Sequence, residues 1–397
     1  MKLHSRAVHV GDRKRDANGN GGVVGVTTPI HTASSFIHND IADLDRVFAK
    51  EIPGASYSRY GNPTNAALEE LVADLESGAG ALACCSGMAA LQMALNVALI
   101  DRRRVVLAAK LLYGATLSML TKVFEASGVE VVWADFDDVS EVETAIADER
   151  PGAILMETIA NPLLRVPAMD RIAAMAQKAG IPLIVDNTFA TPIMVRPLEL
   201  GASIVVHSLT KYLSGHGDVL GGIIVTNAEY LEPMRDLSRI IGPILGPFES
   251  YLAMRGVKTF PLRMERQCAN AREIAAWLAT HPNVDRVHFP GDPAHPDAEN
   301  IARLFPKDLY GAMVAFEIKG VGREEMFALM NRLKMVVPAT SLGDVHSMVL
   351  YPVMASHRDL SPKHRARLGI HDNLLRLSVG IEAAADIIAD LDQALRA

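Results

Sequence analysis

Apolar and polar positions divide the chain into three stretches of different rhythm. Through residue 62 no period is kept; Gly, Asn, Ser and Pro recur, and the stretch reads as an extended arm too irregular to fold alone. From Ala66 a helical period sets in, with Leu68, Leu71, Val72 and Leu75 on one face of a helix that runs to Glu76. Short apolar runs then alternate with helical stretches. Val105–Ala109, Val129–Ala134, Ala153–Met156, Leu183–Val185, Ser203–Val206 and Gly222–Val225 read as strands; Leu117–Ser127, Val139–Ala147 and Met169–Ala179 read as helices. Strands that are apolar throughout are buried on both faces, so this part predicts an α/β domain over residues 63–255, a mainly parallel sheet flanked by helices.

After residue 255 the rhythm changes. Lys258–Thr280 has the pattern of one long helix with Met264, Cys268 and Ile274 turned inward. Gly311–Ile318 and Leu374–Val379 read as strands, and Ala383–Leu395 as a closing helix. A smaller α+β domain over residues 256–397 is expected. No repeat or low-complexity linker marks the boundary.

Composition narrows the class. With 397 residues, 49% of them hydrophobic and 21% charged, the chain is globular and long enough for more than one domain. The net charge of −7 comes without a long basic run, so neither nucleic acid nor an anionic membrane surface is an expected partner. The cysteines are Cys84, Cys85 and Cys268; an odd number with an adjacent pair makes no disulfide framework, and no Cys/His cluster has zinc spacing. No metal is expected, and a reducing, cytoplasmic location is. Met1 to Asn20 is polar, with Arg13, Lys14 and Arg15 and no apolar block behind them, which argues against a secretory signal. Nowhere do about 18 apolar residues run together as a membrane span requires.

The most informative segment is Ser208-Leu209-Thr210-Lys211, directly after the run Ser203–Val206. A lysine at a strand end of an α/β sheet lies where such sheets bind ligands. Among apolar neighbours its amine loses proton affinity and becomes a nucleophile toward an aldehyde. Ser208 and Thr210 supply hydroxyls suited to a phosphate. Asp186 closes the apolar run Pro182–Val185, where a carboxylate needs a charged partner. The pyridinium nitrogen of pyridoxal 5'-phosphate is such a partner; a helix cap or a metal ligand are the alternatives for Asp186 taken alone. Ser86-Gly87-Met88-Ala89-Ala90 leads into a helix and suits an anion, though a plain helix cap has the same sequence. Tyr113, before Gly114, is placed to stack on a ring, or simply to pack.

Together these segments resemble the Cys/Met metabolism (trans-sulfuration) family of pyridoxal phosphate enzymes. The resemblance runs through Thr28-Pro29-Ile30, Tyr57-Ser58-Arg59-Tyr60-Gly61-Asn62-Pro63-Thr64, Ser86–Ala90, Tyr113-Gly114, Glu157-Thr158, Asn161-Pro162, Val185-Asp186-Asn187-Thr188 and His207–Tyr212. It continues through Arg255-Gly256, Ser341-Leu342-Gly343-Asp344 and Arg376–Gly380. It implies the aspartate aminotransferase-like fold, with Lys211 holding the cofactor as a Schiff base and then moving protons along the substrate. Asp186 would pair with the pyridine nitrogen and Tyr113 would stack on the ring and protonate the departing sulfur. Gly87, Met88, Ser208 and Thr210 would hold the phosphate, and Arg376 the carboxylate of a small amino-acid substrate, with Asn161 and Ser341 orienting it. Tyr57 and Arg59 would reach the phosphate of a neighbouring subunit, which implies a homodimer with shared sites, and a tetramer.

The family includes cystathionine γ-synthase, cystathionine γ-lyase and β-lyase, methionine γ-lyase and homoserine-ester sulfhydrylases. Thr340 stands where cystathionine enzymes often carry Glu, and Ala115 where methionine γ-lyases usually carry Cys. Ser341–Asp344 and Cys268-Ala269-Asn270-Ala271 lean to the methionine side, Tyr60-Gly61 to the cystathionine side. The expected activity is a C–S γ-lyase releasing a thiol from methionine or cystathionine, with γ-replacement on an O-acylhomoserine as the alternative. A non-catalytic cofactor-binding protein is opposed by the intact set Lys211, Asp186, Tyr113 and Arg376. His357, in the polar stretch Ser356–Lys363, is expected on a mobile surface loop.

Overall fold

The computed structural model describes residues 1–12, 25–358 and 361–396; Arg13, Lys14 and Arg15 lie outside them. Seven strands form the larger sheet: β1 Gly80–Cys84, β2 Val105–Ala109, β3 Glu130–Ala134, β4 Ala153–Glu157, β5 Leu183–Asp186, β6 Ile204–Ser208 and β7 Gly222–Thr226, in the order β1-β7-β6-β5-β4-β2-β3. Neighbours from β3 to β6 pair in parallel, while β7 runs antiparallel to β6 and to β1. Val, Ile, Leu and Ala fill β2, β4 and β5, which lie under helices on both sides and therefore show no alternation.

The chain leaves β2 for β3 on one side and comes back to lay β4 on the other. The sheet order therefore reverses between β2 and β4, and the crevice outside the carboxyl ends of strands at such a reversal is where open α/β sheets bind ligands. Tyr113 follows β2, Glu157 and Asp186 close β4 and β5, and Ser208 closes β6.

A second sheet has five strands, β8 Val284–His288, β9 Met313–Ile318, β10 Val337–Pro338, β11 Met348–Leu350 and β12 Leu374–Ser378, ordered β10-β11-β12-β9-β8. The helix Phe260–Thr280 covers it and buries Met264, Cys268 and Ile274, the positions its periodicity marked. Buried Arg263 on this helix donates to the carbonyls of Tyr212 (2.9 Å), Leu213 (3.1 Å) and Gly256 (2.9 Å), so it fastens the turn after Lys211 to the helix that carries the second sheet.

The structure departs from the sequence pattern in several places. The amino-terminal stretch is not wholly irregular: Leu3–His9 and Ile41–Phe48 are helices, and Ala7 is fully buried against the helix Pro63–Leu75. Each is too short for its period to stand out. The expected helix Leu117–Ser127 begins at Gly114 and passes through a π turn and a 3-10 turn. Cys84 is core, whereas Cys85 is exposed. His357 is not on the surface: only 2% of it is exposed, and Ala355 and Ser356 just before it line the large sheet's crevice, while Asp359 and Leu360 lie outside the described residues. No helix among the described residues is long and apolar enough to cross a membrane.

Candidate active site

A cavity of about 470 Å³ opens at the carboxyl ends of β4, β5 and β6, closed from the other side by β11 and β12. Gly87, Met88, Tyr113, Asn161, Asp186, Ser208, Thr210, Lys211 and Arg376 all line it. Residues far apart in sequence thus meet in one place. Ser341 joins them through a 3.0 Å hydrogen bond donated by Lys211 Nζ to its Oγ. Tyr57 and Arg59 do not come to this chain's own cavity. Arg59 lies over the rings of Tyr57 and Tyr60, at 5.4 and 4.8 Å, and donates to the carbonyl of Arg239.

Each wall has a local cause. Ser86 caps the helix Gly87–Ala98, its Oγ accepting the Ala89 N–H at 3.1 Å. The first N–H groups of a helix have no partner within it, so Gly87 and Met88 bring free donors and the positive end of the helix to the cavity. A Cβ at Gly87 would meet the Ser208 Cβ at 3.0 Å, so the glycine lets the helix start sit close against the end of β6. The capping reading of this segment holds, and the same geometry leaves its first N–H groups facing the cavity.

Lys211 is pushed down to about 8, chiefly by burial and then by the nearby Arg376 cation. Asp186 is raised by burial; the Thr188 N–H, at 3.0 Å, and the His207 imidazole act the other way. Arg376 is 3% exposed and pushed down to about 10 by burial. Its Nη1 donates to Asn161 Oδ1 at 2.8 Å, and its Nε has no hydrogen-bond partner among the described residues. The site therefore holds a buried cation short of an anion and a buried carboxylate short of a cation.

Glu157, which the resemblance includes without a role, lies in the wall between them. Its Oε1 accepts the Tyr113 N–H at 2.6 Å and its Oε2 the Asn161 N–H at 3.2 Å. Burial and then the Asp186 carboxylate push it up to about 8. Its position as the last residue of an apolar strand, like that of Asp186, is the signal that marks it. Thr188 and Arg263 gave no such signal: Thr188 Oγ1 accepts the Ser208 N–H at 2.9 Å, and Arg263 acts from the far helix. His357 sits behind the loop at the cavity mouth, its Nδ1 2.9 Å from Ser356 Oγ, and burial pushes its imidazole down to about 4.

A model of the family described as "Cys/Met metabolism PLP-dependent enzyme" matches residues 4–396. The chain belongs to that family. Like other Cys/Met metabolism enzymes it depends on pyridoxal phosphate, and the residues of the cavity fit that group. Arg376 Nε lacks a hydrogen-bond partner among the described residues, as a carboxylate-bearing substrate would correct, and burial raises Asp186, as a pyridinium beside it would offset. Helix N–H groups and two hydroxyls gather where a phosphate needs donors.

Among its relatives is an L-methionine γ-lyase of Fusobacterium nucleatum subsp. polymorphum, 42% identical over 92% of each chain. Another is a cystathionine γ-lyase of Bacillus subtilis, 40% identical over 100% of this chain and 99% of that one. The fold is that of a solved cystathionine γ-synthase from Xanthomonas oryzae pv. oryzae, with a TM-score of 0.91 and 33% identity over 100% of this chain and 98% of the other.

Proposed function

We propose that the protein is a C–S γ-lyase, which with water converts methionine or cystathionine to 2-oxobutanoate, ammonia and a free thiol. The observation that carries this reading is one cavity in which a lysine amine with lowered proton affinity, a tyrosine hydroxyl and a buried Arg–Asn pair converge. Bound pyridoxal phosphate supplies an aldehyde for the substrate amine and an electron sink for charge that develops on the adjacent carbons.

Lys211 is assigned to hold the cofactor through its amine, then to take the Cα proton and return it further along the substrate. An amine near 8 suits both directions of transfer. Ser341, accepting from Nζ, orients it. Arg376 and Asn161 grip the α-carboxylate, a task for which a guanidinium fork is shaped. Tyr113, in the cavity wall, would stack on the ring and give a proton to the leaving sulfur. Asp186 pairs with the ring nitrogen; Gly87, Met88, Ser208 and Thr210 hold the phosphate.

Tyr57 and Arg59 are assigned to the phosphate of a second subunit, so the working form is a homodimer with shared sites, paired into a tetramer, in the cytoplasm. Their distance from this chain's own cavity agrees with action in trans. Within this scheme residues 1–62 are the exchanging arm, 63–255 the cofactor domain and 256–397 the carboxyl-terminal domain.

Replacement at Cγ is the second reading, favoured by the likeness to a cystathionine γ-synthase. A product assay separates the two. Methionine, cystathionine, homocysteine, O-acetylhomoserine and O-succinylhomoserine are each offered with and without cysteine or sulfide. Release of 2-oxobutanoate from methionine or cystathionine is expected. Release from the acylhomoserines alone, suppressed by added thiol, would overturn the lyase reading.

A further inference from the structure

Glu157 ends β4 beside Asp186, which ends β5; the two are register partners across the parallel ladder. Two acidic side chains at neighbouring strand ends repel one another, and burial raises both. A pairing this unfavourable persists where the carboxylate meets a need. Here each of its oxygens accepts one backbone N–H, from two different loops: Tyr113 at 2.6 Å and Asn161 at 3.2 Å. Asn161 in turn accepts from Arg376 Nη1 at 2.8 Å.

From these contacts we infer that Glu157 is a positioning residue, which ties the ring-facing loop and the carboxylate-binding loop to one rigid strand end. The connected path runs from Tyr113 through Glu157 and Asn161 to Arg376. It sets the spacing between the residue facing the cofactor ring and the residues facing the substrate carboxylate. Tyr113 opens a helix with no side-chain cap bond, and its own N–H is tied to the strand end through Glu157. The inference rests on the chain's membership of a pyridoxal phosphate family and on these bonds, whichever amino acid is consumed.

The test uses the cofactor-loaded enzyme and the Glu157→Gln variant. Glutamine keeps one accepting oxygen but presents an NH2 to the second N–H, so one bond is replaced by two facing donors. The phosphate cradle is untouched, so the variant is expected to retain cofactor. The circular-dichroism band of the bound cofactor, measured without substrate, is expected to fall to about half or less as the Tyr113 loop loosens. KM for the amino acid is expected to rise about tenfold or more, from one lost buried bond and the backbone N–H it leaves unpaired.

An unchanged band together with a KM within about twofold of the wild type overturns the inference. Should Glu157→Gln fail to fold, Glu157→Asp serves. It keeps the acid beside Asp186 but draws the oxygens back by one methylene, and the same two readouts decide. A merely structural role would lower the melting temperature and leave both readouts in place. The dichroism arm involves no substrate, so its outcome is separate from the product assay that tests the lyase reading.

Discussion

Replacing Arg376 with methionine should leave the substrate-free protein as stable as before, or more so, while nearly abolishing substrate binding. Arg376 is fully within the interior, and burial lowers it from 12.5 to about 10. At about 1.4 kcal/mol per tenfold, keeping that guanidinium charged costs roughly 3 kcal/mol. Its side-chain bond to Asn161 returns about 1–2 kcal/mol. Methionine has similar length and no charge, so it removes the desolvation penalty together with the weaker hydrogen bond; exchanging a buried ion for an apolar side chain is often neutral or stabilising.

Binding behaves in the opposite way. A substrate carboxylate that completes the ion pair gains roughly 3–5 kcal/mol from it. Its loss should raise KM by roughly a hundredfold to several thousandfold. Thermal unfolding of the cofactor-loaded variant, without substrate, and steady-state kinetics are the two measurements. A melting temperature lower by more than about 5 °C, with KM changed less than about threefold, would refute the argument: Arg376 would then be a structural cation.

Four further outcomes are expected. Because Lys211 lies near 8, roughly a tenth of it is neutral at pH 7, so cofactor reloading of the stripped protein should quicken from pH 7 and level off above 8; a rise continuing past pH 10 would contradict this. The same depression disfavours folding of the stripped protein below about pH 8, a cost that fades between there and 10.5, so a Lys211→Met variant should be the more stable of the two at pH 7 and lose that lead in alkali. Gly114→Ala would drive a Cβ into the Ser356 carbonyl oxygen, and should push the Ser356–His357 segment off the cavity mouth, raising KM; unchanged kinetics would show that the segment does not shape the entrance. Finally, mixing Arg59→Ala with Lys211→Ala subunits should restore part of the activity, since some hybrid sites carry neither lesion. No recovery despite subunit exchange would count against Arg59 acting in trans.

Much of this was legible in the residue pattern, and the reasons differ by element. β2 ends where its apolar run ends, and the helix Met169–Ala179 stops at Gly180, whose left-handed backbone closes it. β8 escaped notice: Val284–His288 is an edge strand with Asp285 and Arg286 exposed, so it has neither an apolar run nor a clean alternation. β1 was hidden by small residues, Gly80 to Cys84, which carry little strand preference. Arg376 was marked by the family resemblance alone, whereas Lys211 could be singled out because it follows an apolar run beside two hydroxyls, and Asp186 because it closes such a run at a strand end, where a charge needs a partner. Glu157 breaks β4 in the same way, but its two bonds come from backbone N–H groups, which leave no mark in a sequence. His357 was misplaced for a related reason: a polar stretch looks exposed until the fold lays it against other polar groups.

Arg263 has a consequence for how the molecule breathes. Its guanidinium joins the carbonyls of Tyr212 and Leu213, in the turn after the reactive lysine, to that of Gly256 ahead of the long helix. A lysine at this position has no planar fork to span them. The turn and the helix start therefore open together or not at all, as one cooperative unit. Amide hydrogen exchange should report matching opening free energies on both sides of that joint. The residue that does the chemistry would then share its rigidity with a helix whose side chains reach none of the reacting atoms.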